Sequence, residues 1–405
     1  MDLKSGYPYW AVKNGLMYAF PRLETDLNCD VVVVGAGITG ALIGYELSGH
    51  GHDVVVLDRR DVGWGSTSAS TALLQYEIDT HAVDLAKRYG QASALLAYQS
   101  SLQAIAEIGA LSQSIGDVDF ACCDSLYYAS KRADHAGLSE EFDWRKRHGF
   151  PVRWLSRGAL KAEFGMTAPA AILSSVAARV DPYRLASRLL RRMQDRGARV
   201  YDRTAVNTLR TTTNAVHLST DTGVSIKARH AIIANGYEAQ SWLRQRVARN
   251  FSSYAYISDP VDREELGWLA QTLLWESARP YLYLRSTGDG RLLVGGEDDD
   301  HDVPARRDRR VDRKAATLQR KVSRLFPGLH ARPVFAWAGT FAETDDGLPF
   351  FGCHRQYGPR VLFALAYGGN GITYSMLGAG LLRAQVEGRP HRLTQLFSFS
   401  RLDRP

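Results

Sequence analysis

The segment from Asp30 to Asp58 constrains the fold of this chain more than any other stretch. Val31-Val32-Val33-Val34 is an unbroken β-branched run, which reads as a parallel strand buried on both faces. It leads directly into Gly35-Ala36-Gly37-Ile38-Thr39-Gly40. Apolar residues at helical spacing follow (Ile38, Leu42, Tyr45), and Gly49 and Gly51 end them. Asp53-Val54-Val55-Val56-Leu57-Asp58 is a second strand of the same kind. A G-x-G-x-x-G spacing alone arises often by chance. Here it follows a strand and opens a helix, and an acid, Asp58, ends the next strand near the expected separation of about 20 residues. Gly35 permits the tight turn, Gly37 lets the backbone approach a pyrophosphate, and Gly40 lets helix and strand pack closely. The helix N-terminus offers unpaired N–H groups and a partial positive charge to that diphosphate. Asp58 can accept hydrogen bonds from ribose hydroxyls and would repel a 2′-phosphate. Arg59 and Arg60, directly after this acid, read as solvent-facing rather than as NADP ligands.

With 405 residues the chain suits two domains, or one large domain with insertions. The formal charge of +7 invites a nucleic-acid partner, but the arginines are spread along the whole chain. The densest basic stretch, Arg306 to Lys314, alternates with Asp308 and Asp312 and follows the acidic run Glu297 to Asp302. The two stretches compensate each other, so the expectation is a solvated surface and no nucleic acid. His301 within the acidic run reads as part of a loop of hydrated charges, with no metal. Four cysteines, two of them adjacent, give neither a disulfide framework nor a C-x-x-C or zinc spacing. The N-terminus lacks an apolar signal region, and no stretch of about 18 apolar residues occurs. These features lead to the expectation of a cytoplasmic chain without a membrane span.

Further along, Asp84 to Ile115 reads as helical, and strands at Phe120 to Ala129 and Val152 to Leu155 flank a charged helix near Ser139 to His148. Pro182 to Arg196 reads as an amphipathic helix and Ala198 to Tyr201 as a strand. Ala215 to Ser219 and Ser225 to Ala228 form a hairpin around Thr222-Gly223, and Ala231 to Ala234 is a separate buried strand. From about Gln240 to Val334 the pattern is one of longer alternating strands, such as Tyr281 to Arg285 and Arg291 to Val294. The opening residues to about Asn28 read as aromatic and irregular. Neither a nucleophile elbow nor a second G-x-G-x-x-G is present.

The glycine motif does not by itself separate FAD from NAD. The loop Gly63-Trp64-Gly65-Ser66-Thr67-Ser68-Ala69-Ser70-Thr71-Ala72-Leu73-Leu74 does, because small and hydroxyl residues there can line a second stretch of pyrophosphate and lead on to a ring system. With this loop the chain resembles the FAD-dependent D-amino acid oxidase family, in its glycine/sarcosine oxidase-like branch. Val180-Asp181-Pro182 before a helix, and Ala231 to Gly236, match the family's central segments. The clearest matches are Thr344-Asp345-Asp346-Gly347-Leu348-Pro349 and Tyr367-Gly368-Gly369-Asn370-Gly371-Ile372-Thr373, the latter opening a helix.

The resemblance implies an α/β fold. It predicts a Rossmann-like FAD-binding domain, discontinuous and mostly parallel, and a second α+β substrate domain built on an antiparallel sheet. The expected segments are 1–85, 165–240 and 335–405 for the first, and 86–164 and 241–334 for the second. The expected FAD contacts are Gly35, Gly37, Ile38, Thr39, Gly40, Asp58 and Arg59; then Ser66, Thr67, Ala69, Ser70, Thr71, Leu73 and Leu74. They continue with Val206, Ala234 and Gly236, and with Gly369, Asn370, Gly371, Ile372 and Thr373.

The implied reaction is oxidation of a C–N bond by hydride transfer to flavin N5, followed by imine hydrolysis; the alternatives are another FAD-dependent dehydrogenase, acting on a hydroxy acid or linked to quinone, and a non-catalytic flavoprotein. The implied partners are a small amine or amino acid and an electron acceptor, O2 or another. Amino-acid-oxidising members commonly carry an arginine for the substrate carboxylate just after the W-x-G segment. Here that segment is Trp337-Ala338-Gly339-Thr340-Phe341, and the arginine is missing. Arg285 is the nearest substitute, with Tyr281, Tyr283, Gln75, Tyr76 and Glu77 as further cavity candidates. The missing arginine moves weight toward an amine. Cys353 lies past the position at which some members attach flavin covalently, so FAD is expected to be non-covalent.

Overall fold

Alternation along the two valine-rich strands explains why their sheet is covered on both faces. The computed structural model describes residues 2–403 and places Leu27–Val34 and Val54–Leu57 side by side and parallel. Val31, Val33, Val54 and Val56 enter one apolar cluster, whereas Val32, Val34, Val55 and Leu57 enter another. Successive side chains on a strand face opposite ways, so a run without polar residues needs cover on both sides. On the first face that cover includes the helices Ile38–Gly49, Pro182–Gln194 and Gly371–Val386.

The parallel part of this sheet runs in the order Val361–Leu365, Ser225–Ile233, Leu27–Val34, Val54–Leu57, Arg199–Tyr201. Phe350–Cys353 extends it antiparallel at one edge, and the ribbon Val206–Thr211 with Val216–Thr220 hangs from Ser225–Ile233. The hairpin arm and the separate buried strand expected between residues 225 and 234 are therefore one strand, Ser225–Ile233. Its first half pairs with the hairpin, and nearly its whole length runs beside Leu27–Val34.

The second sheet is larger and almost wholly antiparallel. Its order is Lys4–Gly6, Pro333–Glu343, Arg249–Pro260, Arg291–Asp299, Leu282–Ser286, Thr272–Glu276, Ala121–Tyr128, Ala170–Arg179, Leu73–Gln75, and Val152–Ser156 also pairs with Ala170–Arg179. One neighbouring pair is parallel, Thr272–Glu276 beside Ala121–Tyr128. A mostly parallel sheet and a mostly antiparallel sheet thus make up the α/β fold. Sheet membership cuts across the segment boundaries expected above. Leu73–Gln75, Ala170–Arg179 and Pro333–Glu343 all lie in the larger sheet, while the helix Gln91–Ile115 packs into the cluster that covers the smaller one. No helix among the described residues is long and apolar enough to cross a membrane.

Three local readings change. The opening residues are irregular only in part, over residues 15–26. Lys4–Gly6 is an edge strand, Tyr9–Asn14 is a helix, and Trp10 is fully buried. The helix from Asp84 to Ile115 is two helices, Ala82–Tyr89 and Gln91–Ile115, broken at Gly90 with φ 85°. Val311–Leu325, within the stretch expected to be strands, is a helix whose buried Val311, Ala315, Leu318 and Val322 recur at helical spacing.

Helix Gly371–Val386 reaches the smaller sheet only because Gly378 carries no side chain. A Cβ at Gly378 would lie 2.2 Å from the Phe351 ring, whereas one at Gly380, on the same helix, would meet nothing within 4 Å. Replacing glycine by alanine favours an exposed helix interior by about 0.5–1 kcal/mol. Overpacking costs about 1–3 kcal/mol. Gly380→Ala is therefore expected to raise the denaturant midpoint slightly and Gly378→Ala to lower it, as followed by urea unfolding.

Candidate functional site

A cavity of about 890 Å³ opens between the two sheets. From the smaller sheet and its loops it is lined by Gly35, Gly37, Ile38, Thr39, Asp58, Arg59, Val206, Ala234, Gly236 and Gly369 to Ile372. Ser66, Thr67, Ala69 to Leu73 and Gln75 line its connecting wall, and Trp275, Tyr281, Tyr283, Asp298 and Glu343 its far wall on the larger sheet. The turn after the first strand is tightly fitted. A Cβ on Gly35, at φ +116°, would lie 2.4 Å from the Ala234 carbonyl oxygen, and one on Gly40 would lie 1.8 Å from that of Gly35. Gly40 therefore does not line the cavity; it seats the helix beneath the turn. The Ile38 N–H donates to Thr67 Oγ1 at 2.9 Å, tying the hydroxyl-rich loop to the start of this helix.

Asp58 stands at the end of the second strand as expected. Its Oδ2 accepts from the Ala36 N–H at 2.7 Å and its Oδ1 from the Arg60 N–H at 2.8 Å. Burial pushes its carboxyl up to about 6 despite these two donors. Arg59 is exposed, as expected, whereas Arg60 is half-buried. Both line the cavity, and both pair with Glu238, to which Arg60 reaches at 3.2 Å. Ser66 Oγ and Asn235 Oδ1, on cavity-lining residues, are buried with no hydrogen-bond partner. A polar ligand in the cavity is what such atoms lack.

The loop after Ser66 is held from above by three consecutive carbonyls. Trp337 Nε1 donates to the Ala69 oxygen at 2.8 Å, Trp10 Nε1 to that of Ser70 at 2.7 Å, and Arg285 Nε to that of Thr71 at 2.7 Å. This corrects the expectation for Arg285. The side chain is fully buried, does not line the cavity, and gives its other nitrogens to the Ser286 and Val180 carbonyls, both at 3.1 Å. It is a clamp on the loop, not a receptor for a substrate carboxylate, and burial lowers its pKa to about 10. The sequence placed it correctly on a strand, but the loop that lies across that strand was not foreseeable.

The remaining expected residues divide simply. Tyr283 and Gln75 line the cavity; the Tyr283 hydroxyl lies 3.2 Å from Ser253 Oγ, and the Gln75 carbonyl accepts from Asn370 Nδ2 at 3.3 Å. Leu73 lines it too, but Leu74, one residue on and facing the other way, is buried in the core. Thr373 is buried behind the loop, with its hydroxyl 3.4 Å from the Gln75 carbonyl.

Several lining residues escaped the sequence reading: Asp79, Trp275, Asp298 and Glu343. Asp298 belongs to the acidic run read as hydrated charge. Its neighbours meet the basic stretch, as the compensation of the two runs implies, but in largely buried pairs rather than as hydrated charges: Asp299 with Arg310 at 2.8 Å and Asp302 with Arg307 at 2.8 Å. Asp298 faces the cavity instead, and burial pushes its carboxyl up to about 7. The alternation of Arg291–Asp299 carried the signal, as neighbouring acids on a strand point to opposite sides. Glu343 pairs with Arg279 at 2.8 Å, and the Arg279 guanidinium lies 4.4 Å from the Tyr281 ring centre.

A glycine turn at a helix start, an acid ending the next strand, and a cavity that continues onto a second sheet define a dinucleotide-dependent oxidoreductase scaffold. The chain belongs to the FAD dependent oxidoreductase family, DAO, which it matches over residues 30–385. It is 29% identical over 382 residues to a glycine oxidase of Geobacillus kaustophilus, covering 92% of this chain and 96% of that protein. It is 26% identical over 400 residues to the gamma-glutamylputrescine oxidoreductase of Escherichia coli, covering 95% and 89%. The crystal structure of the Geobacillus kaustophilus glycine oxidase superposes with a TM-score of 0.77 at 23% identity, covering 92% of this chain and 98% of that one. FAD is the cofactor of this family, and the glycine turn, Asp58 and the unpartnered Ser66 and Asn235 atoms suit its diphosphate and ribose.

If Asp58 holds ribose hydroxyls, it must be ionised to accept from both. Its raised pKa then makes FAD affinity fall as pH drops through about 6. Asp58→Asn is expected to weaken FAD about tenfold or more and to abolish this step. Fluorescence titration of the apoprotein with FAD between pH 5 and 8 checks both; an unchanged step in the variant contradicts the assignment.

Proposed function

We propose that this protein is an FAD-dependent oxidoreductase that oxidises the C–N bond of a small amine or amino acid. The observation that carries this is the single cavity joining the Gly35–Gly40 turn and Asp58 to an aromatic wall on the larger sheet. The named relatives act in the same chemical class, since one is a glycine oxidase and another a gamma-glutamylputrescine oxidoreductase. FAD, when bound, supplies the two-electron acceptor for hydride from the carbon beside the amine nitrogen.

The residues of the chain do the rest by position. The carbonyl clamp from Trp10, Arg285 and Trp337 fixes the loop Ala69 to Thr71 against the cavity. Gly368 to Gly371 bring the backbone to the cavity wall at the start of Gly371–Val386, whose positive end faces the same space. Trp275, Tyr281 and Tyr283 exclude water and confine a substrate, which supplies proximity rather than acid–base chemistry. None of the four cysteines lines the cavity, in keeping with non-covalent FAD. Their unpaired state also suits the cytoplasm.

Anaerobic mixing of the FAD-loaded protein with amines, amino acids and hydroxy acids tests this reading. Bleaching of the flavin by at least one amine or amino acid is expected, and bleaching by hydroxy acids alone or by none contradicts it. Hydrogen peroxide release on readmitting air then tells an oxidase from a dehydrogenase. Acid precipitation is expected to leave a colourless pellet and a yellow supernatant; a yellow pellet contradicts non-covalent binding.

A further inference from the structure

The cavity wall on the larger sheet is anionic. Asp79, Asp298, Glu343 and Glu77 line it. Among the described residues, the cationic side chains that line the cavity are Arg59 and Arg60, which lie beside Asp58 and pair with Glu238. Arg279 approaches from outside the lining and is paired with Glu343 at 2.8 Å. Glu77 is matched from behind by the buried Arg145, 3.5 Å away, which Glu141 also binds at 2.7 Å. Asp79 accepts from the Gly369 N–H at 2.9 Å.

Asp298 has no such cation. Ser253 hydrogen-bonds to it, but its Oδ1 is sealed from solvent and has no partner. An unpartnered carboxylate oxygen in this position carries a desolvation cost that a bound cation would offset. Around it the wall is aromatic, with Tyr281, Tyr283 and Trp275, and Trp275 is stacked on Tyr127 at 3.7 Å. Ring faces attract cations, and most strongly those stripped of water.

A substrate carboxylate would meet mainly like charge here, because the nearby guanidinium, Arg279, is already paired with Glu343. An ammonium group meets both an acceptor and ring faces. The nitrogen that reacts must be neutral when its neighbouring carbon gives up hydride, so an anionic anchor on that nitrogen would hold the unreactive form. The carboxylate is placed to hold a second nitrogen.

We propose that the substrate is a diamine or longer polyamine without a carboxylate, whose non-reacting ammonium group docks on Asp298 among Tyr281, Tyr283 and Trp275. This inference rests on the C–N oxidation reading above and narrows its substrate class. Because burial pushes the Asp298 carboxyl up to about 7, the anchor is charged above that pH and lost below it. Asp79, Glu343, Arg279, Tyr281 and Tyr283 surround the same site, and Arg279 pairs with Glu343 at 2.8 Å.

The test compares 1,4-diaminobutane, 4-aminobutanoate and glycine on the FAD-loaded protein, by anaerobic flavin reduction and by perturbation of the flavin absorption spectrum. 1,4-Diaminobutane is expected to give a kcat/KM about 100-fold or more above 4-aminobutanoate, since the two share a four-carbon chain and differ in whether its far end carries an ammonium group or is a carboxylate. Its KM is expected to rise as pH falls through about 7. In Asp298→Asn the KM should rise about tenfold or more and that pH step should vanish. Reduction by 4-aminobutanoate or glycine as fast as by the diamine overturns this inference and leaves the C–N reading standing. An unchanged diamine KM in Asp298→Asn overturns it as well. Reduction by none of the three nor by any other amine or amino acid overturns both.

Discussion

The approach of Gly40 to the Gly35 carbonyl is the contact on which the site depends. It presses the helix Ile38–Gly49 onto the turn so closely that any side chain at either glycine would strike backbone. Once the helix is seated, its first N–H groups face the cavity and Ile38 reaches Thr67, which orders the next loop. Asp58 then closes the turn from the neighbouring strand by accepting from Ala36. A few ångströms of freedom at this point would open the cavity floor.

The opposite wall depends on a different device. Three carbonyls in succession, from Ala69 to Thr71, take donors from Trp10, Trp337 and Arg285, which come from three distant parts of the chain. Indole and guanidinium donors are long and rigid, so each fixes a distance as well as satisfying a buried oxygen. The loop is thereby stapled between the two sheets, and the opening segment of the chain becomes part of the site's frame. Arg285 is buried for this purpose, which explains why it is absent from the cavity.

Much of the smaller sheet was legible because its signals are local. The β-branched runs, the glycine spacing and Asp58 all fall within one βαβ unit, and their geometry follows from hard sterics. The larger sheet was less legible. Ala170–Arg179 is rich in alanine and serine and lies inside the sheet, so it shows no alternation to read. Val311–Leu325 was obscured by its charges, although its four buried positions keep helical spacing. The site's far wall was the least legible of all. Asp79, Trp275, Asp298 and Glu343 come from four separate segments, and their proximity is set by sheet order, which no local pattern encodes. The missing arginine after Trp337 was readable, and the structure gives it meaning, because the wall that would have carried that arginine is lined by carboxylates.

The central claim is that the cavity brings an amine-bearing carbon to FAD for oxidation. The most direct measurement counts ammonia released against flavin bleached in a single anaerobic turnover with a primary amine. Equal amounts of the two are predicted, because the imine formed hydrolyses with loss of nitrogen. Bleaching of the flavin without release of ammonia would contradict the account.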